Sequence, residues 1–107
     1  MQEISAVDLA AWLADASRPQ PQLLDVREDW EWEVAHLAGS THVPMGRVPG
    51  ELTSIDPDRP LVCICHHGMR SLQVALLLER HDFQSVYNLS GGVAAWAATV
   101  DPKMTTY

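Results

Sequence analysis

The chain has 107 residues, 47% hydrophobic and 20% charged, with a formal net charge of −7, which describes one soluble domain able to bury a core without disulfides or a metal. Seven Lys and Arg against fourteen Asp and Glu exclude a nucleic-acid binder, which must present a basic face to the phosphates. No apolar run reaches the roughly 18 residues of a membrane span, and no basic segment followed by an apolar one opens the chain, so it is read as cytoplasmic and without a membrane partner.

Ile4 is assigned to a short first strand. Ser5-Ala6-Val7-Asp8 has the pattern of a helix capping box, with Asp where Glu is usual, and Leu9, Trp12 and Leu13 follow at one-face helical spacing. Arg18-Pro19-Gln20-Pro21 ends that helix, because neither proline can continue it. Leu23 to Val26 reads as a buried strand, and Glu28 to Val34 as a short helix with acidic residues toward its N-terminal end. Gly39 to Pro44 holds a turn and a brief strand around His42-Val43, Val48 to Leu52 a short helix, and Asp56 to Pro60 a loop. Ser85 to Leu89 is a further strand, and Ser90-Gly91-Gly92 opens a last helix carrying Val93 and Trp96. Strands alternating with helices predict an α/β fold, a parallel sheet covered on both faces. The domain is expected to span 1–107, with its core over about 4–98 and 99–107 as a mobile tail.

The stretch between these elements, Leu61 to Arg80, carries the chemistry. It begins as a β-branched and apolar run, breaks into Cys65-His66-His67-Gly68-Met69-Arg70-Ser71, and continues as an apolar helix. A thiol at the carboxyl end of a strand, facing a helix N-terminus, lies where open α/β sheets place their ligands. The reactive form is the thiolate, favoured by inward-pointing amides, a helix N-terminus and a cation. Gly68 permits the required turn. Arg70 offers a fixed positive charge and a fork of donors for an anionic substrate. Ser71 is expected to cap the following helix.

Other residues have plainer readings. Cys63 reads as a small core hydrophobe, and a C-x-C pair at one strand end makes a poor disulfide. Trp12, Trp30, Trp32 and Trp96 read as core or half-buried packing. Cys63, Cys65, His66 and His67 have no second ligand pair at the spacing that a tetrahedral metal site uses, so no metal is expected. Asp25 and Arg27 read as a polar bracket that positions backbone near the loop.

Four segments in register resemble the rhodanese (thiosulfate sulfurtransferase) homology domain: Leu23-Leu24-Asp25-Val26-Arg27-Glu28; Glu31-Trp32 with His36-Leu37-Ala38-Gly39-Ser40 and Val43-Pro44; Cys65-x-x-Gly68-x-Arg70-Ser71; and Val86-Tyr87-Asn88-Leu89-x-Gly91-Gly92-x-x-x-Trp96. The resemblance implies a stand-alone rhodanese-like α/β domain of about five mostly parallel strands with helices on both faces. It implies that Cys65 is the nucleophile, accepting sulfur as a persulfide, and that His66, His67, Gly68, Met69, Arg70 and Ser71 bind substrate. It further implies no cofactor, a small anionic sulfur donor such as thiosulfate, and cyanide, a thiol or a protein as acceptor. Asp82 stands where the family has glycine after the long helix, a position that Asp tolerates better than most residues.

Two other functions stay open on the sequence. Cysteine phosphatases and arsenate reductases use C-x5-R, whereas Cys65 to Arg70 is C-x4-R, a shorter cup that suits a single sulfur better than phosphate. A non-catalytic binding module on the same fold is the third reading, although Cys65, Gly68 and Arg70 are all kept.

Overall fold

The computed structural model describes residues 1–107. Its five strands form one sheet in the order β1-β5-β4-β2-β3, with β1 at Gln2–Ile4, β2 at Gln22–Asp25, β3 at Thr41–His42, β4 at Leu61–Ile64 and β5 at Val86–Leu89. Every pairing is parallel. Helices α1 (Ala6–Ala14), α2 (Asp29–Val34), α3 (Met69–Arg80) and α4 (Gly92–Thr99) alternate with the strands, as expected. The short helix expected at 48–52 is a longer 3-10 helix, Met45–Ser54, whose i→i+3 bonding accommodates Pro49 within it. No helix is long and apolar enough to cross a membrane.

Central strand β4 is buried at all four positions and divides its side chains with the period of the pleat. Leu61 and Cys63 join Val74, Ala75 and Leu78 of α3 on one face, and Val62 and Ile64 join Leu9 and Trp12 of α1 and Val93 of α4 on the other. Each of these burials contributes about 1.5–3 kcal/mol for a Val, Leu or Ile side chain. Cys65 continues the alternation onto the α3 face. The strand's pleat therefore aims the thiol at the start of the helix that follows.

Two local stops set the frame. Ser5 accepts from the Asp8 amide at 3.0 Å, which is one half of the expected capping box. At the far end of α3, Asp82 adopts φ 67°, its amide donating to the Glu79 carbonyl at 3.2 Å and the Phe83 amide to Leu78 at 3.2 Å. That is a Schellman stop with its apolar contact between Leu78 and Phe83.

The chain leaves β2 toward the edge strand β3 and leaves β4 toward β5 on the opposite side. Ligands in open α/β sheets bind outside the strand ends where connections diverge in this way. Arg27 follows β2 and Cys65 follows β4, so both stand at that crevice.

Candidate active site

Cys65 is 1% exposed, and its sulfur is the focus of the loop. Gly68 N donates to Sγ at 3.1 Å and Ser71 N at 3.3 Å, with Ser71 Oγ at 3.2 Å. Helix α3 has Gly68 as N-cap and no side-chain cap. The sulfur fills the role that a Ser or Asp oxygen usually plays, accepting the third-position amide of the helix. Donors and the positive end of α3 both stabilise negative charge on Sγ. Ser71, expected as the cap, is the third residue of the helix instead, because Gly68 at φ 99° starts it earlier.

The rest of the loop is held from behind. Val93 N takes the Cys65 carbonyl at 2.9 Å and Ala94 N takes that of His66 at 3.1 Å, so the first turn of α4 grips two successive loop carbonyls. Asn88 Nδ2 takes the Gly68 carbonyl at 3.0 Å. Across a planar trans peptide the next N–H points the opposite way. The amides of His66, His67 and Met69 are thereby turned away from these anchors, and they and Arg70 N find no acceptor elsewhere in the chain.

Asn88, 2% exposed on β5, is the hub behind Cys65. Its Oδ1 accepts from Ser71 Oγ at 2.5 Å, and its Nδ2 also donates to both oxygens of Glu3 at 3.1 Å. With the Ser71 proton directed at Asn88, Ser71 Oγ is free to accept from an S–H on Cys65. Once sulfur is ionised, the same hydroxyl can rotate to donate to it. Cys63 has no such company: burial, and then the charge of Cys65, push its thiol up to about 12, so it remains a protonated core residue.

Arg70 differs from its expected role. Its Nη1 donates to Glu31 Oε1 at 2.6 Å and its Nη2 to Oε2 at 2.9 Å, a bidentate pair that occupies the guanidinium fork. Glu31 also accepts the Glu28 amide at 2.9 Å and the Tyr107 hydroxyl at 2.8 Å. Arg70 first, then the Glu28 amide and Tyr107, outweigh burial and hold the Glu31 carboxyl at about 2 instead of 4.5. A depressed carboxylate stabilises the fold fully above its unfolded value, and that stability is lost as pH falls from 4.5 toward about 2. Arg70 is 34% exposed, so solvent screening reduces the effect to about 1–2 kcal/mol. Glu31→Gln should lower stability by that amount at neutral pH, and the gap should close by about half at pH 3. Urea melts at the two pH values check this, and an equal gap at both would show that the charge is not what matters.

Beside this pair lies a second. Arg27 and Asp25 are both 0% exposed, with Arg27 Nε 2.9 Å from Asp25 Oδ1 and Nη2 2.7 Å from Oδ2. The same guanidinium donates to the Ala35 carbonyl at 2.7 Å, the Glu31 carbonyl at 3.2 Å and the Tyr107 hydroxyl at 2.9 Å. Tyr107 therefore bridges both ion pairs. Its ring meets His66 edge-on at 4.3 Å and Trp30 at 5.2 Å. The segment read as a mobile tail is thus packed against the loop by its last residue. Trp30 is 57% exposed, while Trp12 is buried and Trp32 and Trp96 are half-buried.

The family described as "Rhodanese-like domain" matches residues 7–99. The chain belongs to that family. The putative sulfurtransferase YtwF of Bacillus subtilis is 38% identical over 81 residues, covering 76% of this chain and 78% of that protein. The thiosulfate sulfurtransferase GlpE of Pseudomonas aeruginosa is 35% identical over 75 residues, 70% of this chain and 68% of that one. A rhodanese-like/PpiC domain-containing protein 12 of Arabidopsis thaliana is 38% identical over 82% of this chain, which spans only 31% of its length. Among solved structures, a rhodanese-like domain protein from Staphylococcus aureus superposes with a TM-score of 0.83 at 29% identity, covering 90% of this chain and 91% of that one.

Within this rhodanese-like domain, the structure gathers Cys65, Gly68 and Ser71 around one sulfur and leaves His67 and Met69 exposed on the loop's outer side. His66 is half-buried between Tyr107 and His67, and burial, then His67, lower its pKa. Four contributors were not singled out from sequence: Glu3, Glu31, Asn88 and Tyr107. Asn88 left a signal, since asparagine is unfavourable inside a strand and is buried there only with partners. Glu31 left another, three residues after Glu28 at a helix start. Tyr107, far along the chain from its partners, left none.

Proposed function

We propose that this rhodanese-like domain acts as a single-domain sulfurtransferase, moving sulfane sulfur from a donor such as thiosulfate to a thiophilic acceptor through a persulfide on Cys65. One observation carries the reading. A buried sulfur accepts from the Gly68 and Ser71 amides, and further loop amides beside it have no acceptor of their own. A second sulfur bonded to Sγ carries its charge outward into those amides.

The Cys65 thiolate attacks the outer sulfur of thiosulfate. The new Sγ–S bond forms as the donor's S–S bond breaks, and sulfite leaves with that bond's electron pair, so charge and atoms balance. The terminal sulfur anion then rests on the loop N–H groups. In the second half an acceptor nucleophile, cyanide, a thiol or a protein thiol, attacks the terminal sulfur and returns Cys65 as thiolate. Ser71 follows the charge on Sγ by turning its hydroxyl between Asn88 and the sulfur. The name of the Pseudomonas relative supports the choice of thiosulfate as the first donor to test.

Intact mass after incubation with thiosulfate, without reductant, tests the reading. Wild type and Cys63→Ser should each gain one sulfur, about 32 Da, and Cys65→Ser none. Cyanide should then remove the added mass and yield thiocyanate. An adduct that persists in Cys65→Ser, or that forms on Cys63, would remove Cys65 from the role.

A further inference from the structure

The Ser71 hydroxyl has one hydrogen and two acceptors within reach. It stands 2.5 Å from Asn88 Oδ1 and 3.2 Å from Cys65 Sγ, so the hydrogen lies on the Asn88 side and Sγ keeps the Gly68 and Ser71 amides as its donors. Whatever strengthens the pull of Asn88 therefore withholds the hydroxyl from a negative sulfur.

That pull is set from the edge of the sheet. The Gly68 carbonyl and the Glu3 carboxylate both accept, which turns the Asn88 amide nitrogen toward them and leaves Oδ1 facing Ser71. Glu3 is the register partner of Asn88 in the parallel pairing of β1 with β5, so the pleat puts both side chains on one face. Of the two amide hydrogens, one goes to the Gly68 carbonyl at 3.0 Å and the other is shared by the Glu3 oxygens, each at 3.1 Å. Ser90 Oγ steadies the carboxylate at 2.7 Å. An ionised acceptor on the N–H polarises the amide and makes Oδ1 a stronger acceptor for Ser71.

We propose that Glu3 is a positioning residue that restrains the reactivity of Cys65, acting through Asn88 on the direction of the Ser71 hydroxyl. Its consequence for turnover rests on the sulfurtransferase reading. The restraint applies wherever charge falls on Sγ: in the free thiolate, and again when an acceptor bonds to the terminal sulfur and the breaking S–S bond leaves its electron pair on Sγ. The other charged or titratable groups around that sulfur are Cys63 on β4, His66 beside it, and the Arg70–Glu31 and Arg27–Asp25 pairs. A substitution at Glu3, an exposed side chain on a three-residue edge strand, leaves all of them in place.

Glu3→Gln keeps an acceptor for Asn88 and removes the charge. Alkylation of Cys65 by iodoacetamide, followed by mass across pH in a Cys63→Ser background, reports the thiolate directly. The pH of half-maximal rate should fall by about 0.5 unit, about threefold faster alkylation below the midpoint, as expected for a strengthened hydrogen bond to a charged sulfur. Release of the Cys65 persulfide to cyanide should quicken in the same direction, because a better-stabilised thiolate leaves faster. The shift should disappear in Ser71→Ala, where no hydroxyl remains to redirect. It should persist in roughly 1 M salt, where the screening length is about 3 Å. An equal shift in the Ser71→Ala background, or one that salt abolishes, would overturn the proposal by showing that the charge of Glu3 acts through space. No shift, or an upward one, would overturn it outright. If Ser71→Ala does not fold, the salt comparison decides. Alkylation needs no sulfur donor, so a failure here is separate from a failure of thiosulfate to add sulfur to Cys65, which would sink the sulfurtransferase reading instead.

Discussion

Arg27→Met should cost about 3–5 kcal/mol of stability, the penalty for stranding one partner of a buried ion pair. Against a typical domain stability of about 5–15 kcal/mol, that lowers the melting temperature by about 12 °C or more. The loss is large because one guanidinium serves several groups. It neutralises Asp25 at 2.7 to 3.0 Å, caps the carbonyls of Glu31 and Ala35 at the end of α2, and holds the Tyr107 hydroxyl. Methionine fills much of the volume and replaces none of those donors. Replacing Asp25 and Arg27 together by apolar residues should cost less than the sum of the single changes, since the stranded charge disappears with its partner. Chemical denaturation of the singles and the double closes the cycle. A loss under about 1 kcal/mol for Arg27→Met would mean that water reaches Asp25 easily and that the bracket is not structural.

The same residues explain how far the sequence could be read. The sheet was legible because β2 and β4 carry short apolar runs bounded by breakers, and the uninterrupted apolar run Leu61 to Ile64 is the mark of a strand buried on both faces. The left-handed turn at Asp82 was legible only through the family resemblance, which puts glycine at that position after the long helix. Cys65 stood out through the poor core material that follows it. Asp25 and Arg27, two residues apart, were read together, but partnerships of charged residues between elements were not legible. Arg70 looks like a substrate cation until Glu31, on a different helix, is placed opposite it. Sequence spacing carries no information about which carboxylate a long side chain meets across a crevice. The capping of α3 was misplaced for a related reason: the acceptor is a sulfur four residues before the helix, a role ordinarily assigned to oxygen. The contact of Tyr107 with both ion pairs depends on the chain folding back after α4, and a short polar segment without periodicity announces no such return.

Gly92→Ala should slow sulfur transfer by on the order of 100-fold, the cost of misplacing reacting groups by about 1 Å. A Cβ on Gly92 would stand 2.2 Å from the Cys65 carbonyl oxygen and 2.4 Å from that of His66, both backbone atoms that cannot swing aside. Gly92 also sits at φ 58°, where a side chain adds about 1–2 kcal/mol of strain. Either α4 or the loop must move, and the movement breaks the bonds from Val93 and Ala94 to those two carbonyls, at 2.9 and 3.1 Å. Those bonds turn the His66 and His67 amides away from α4, so the variant disperses the donors on which the proposed persulfide depends while Cys65 itself is untouched. Gly46→Ala is the matched control: it adds the same methyl group where nothing lies within 4 Å, and should leave the transfer rate unchanged. Single-turnover persulfidation of Cys65, followed by mass on samples shown to be folded by circular dichroism, compares the two. Equal rates in the two variants would mean that the grip of α4 on the loop carbonyls does not set the geometry of the amides, and the cradle would then have to be held by Asn88 and Gly68 alone.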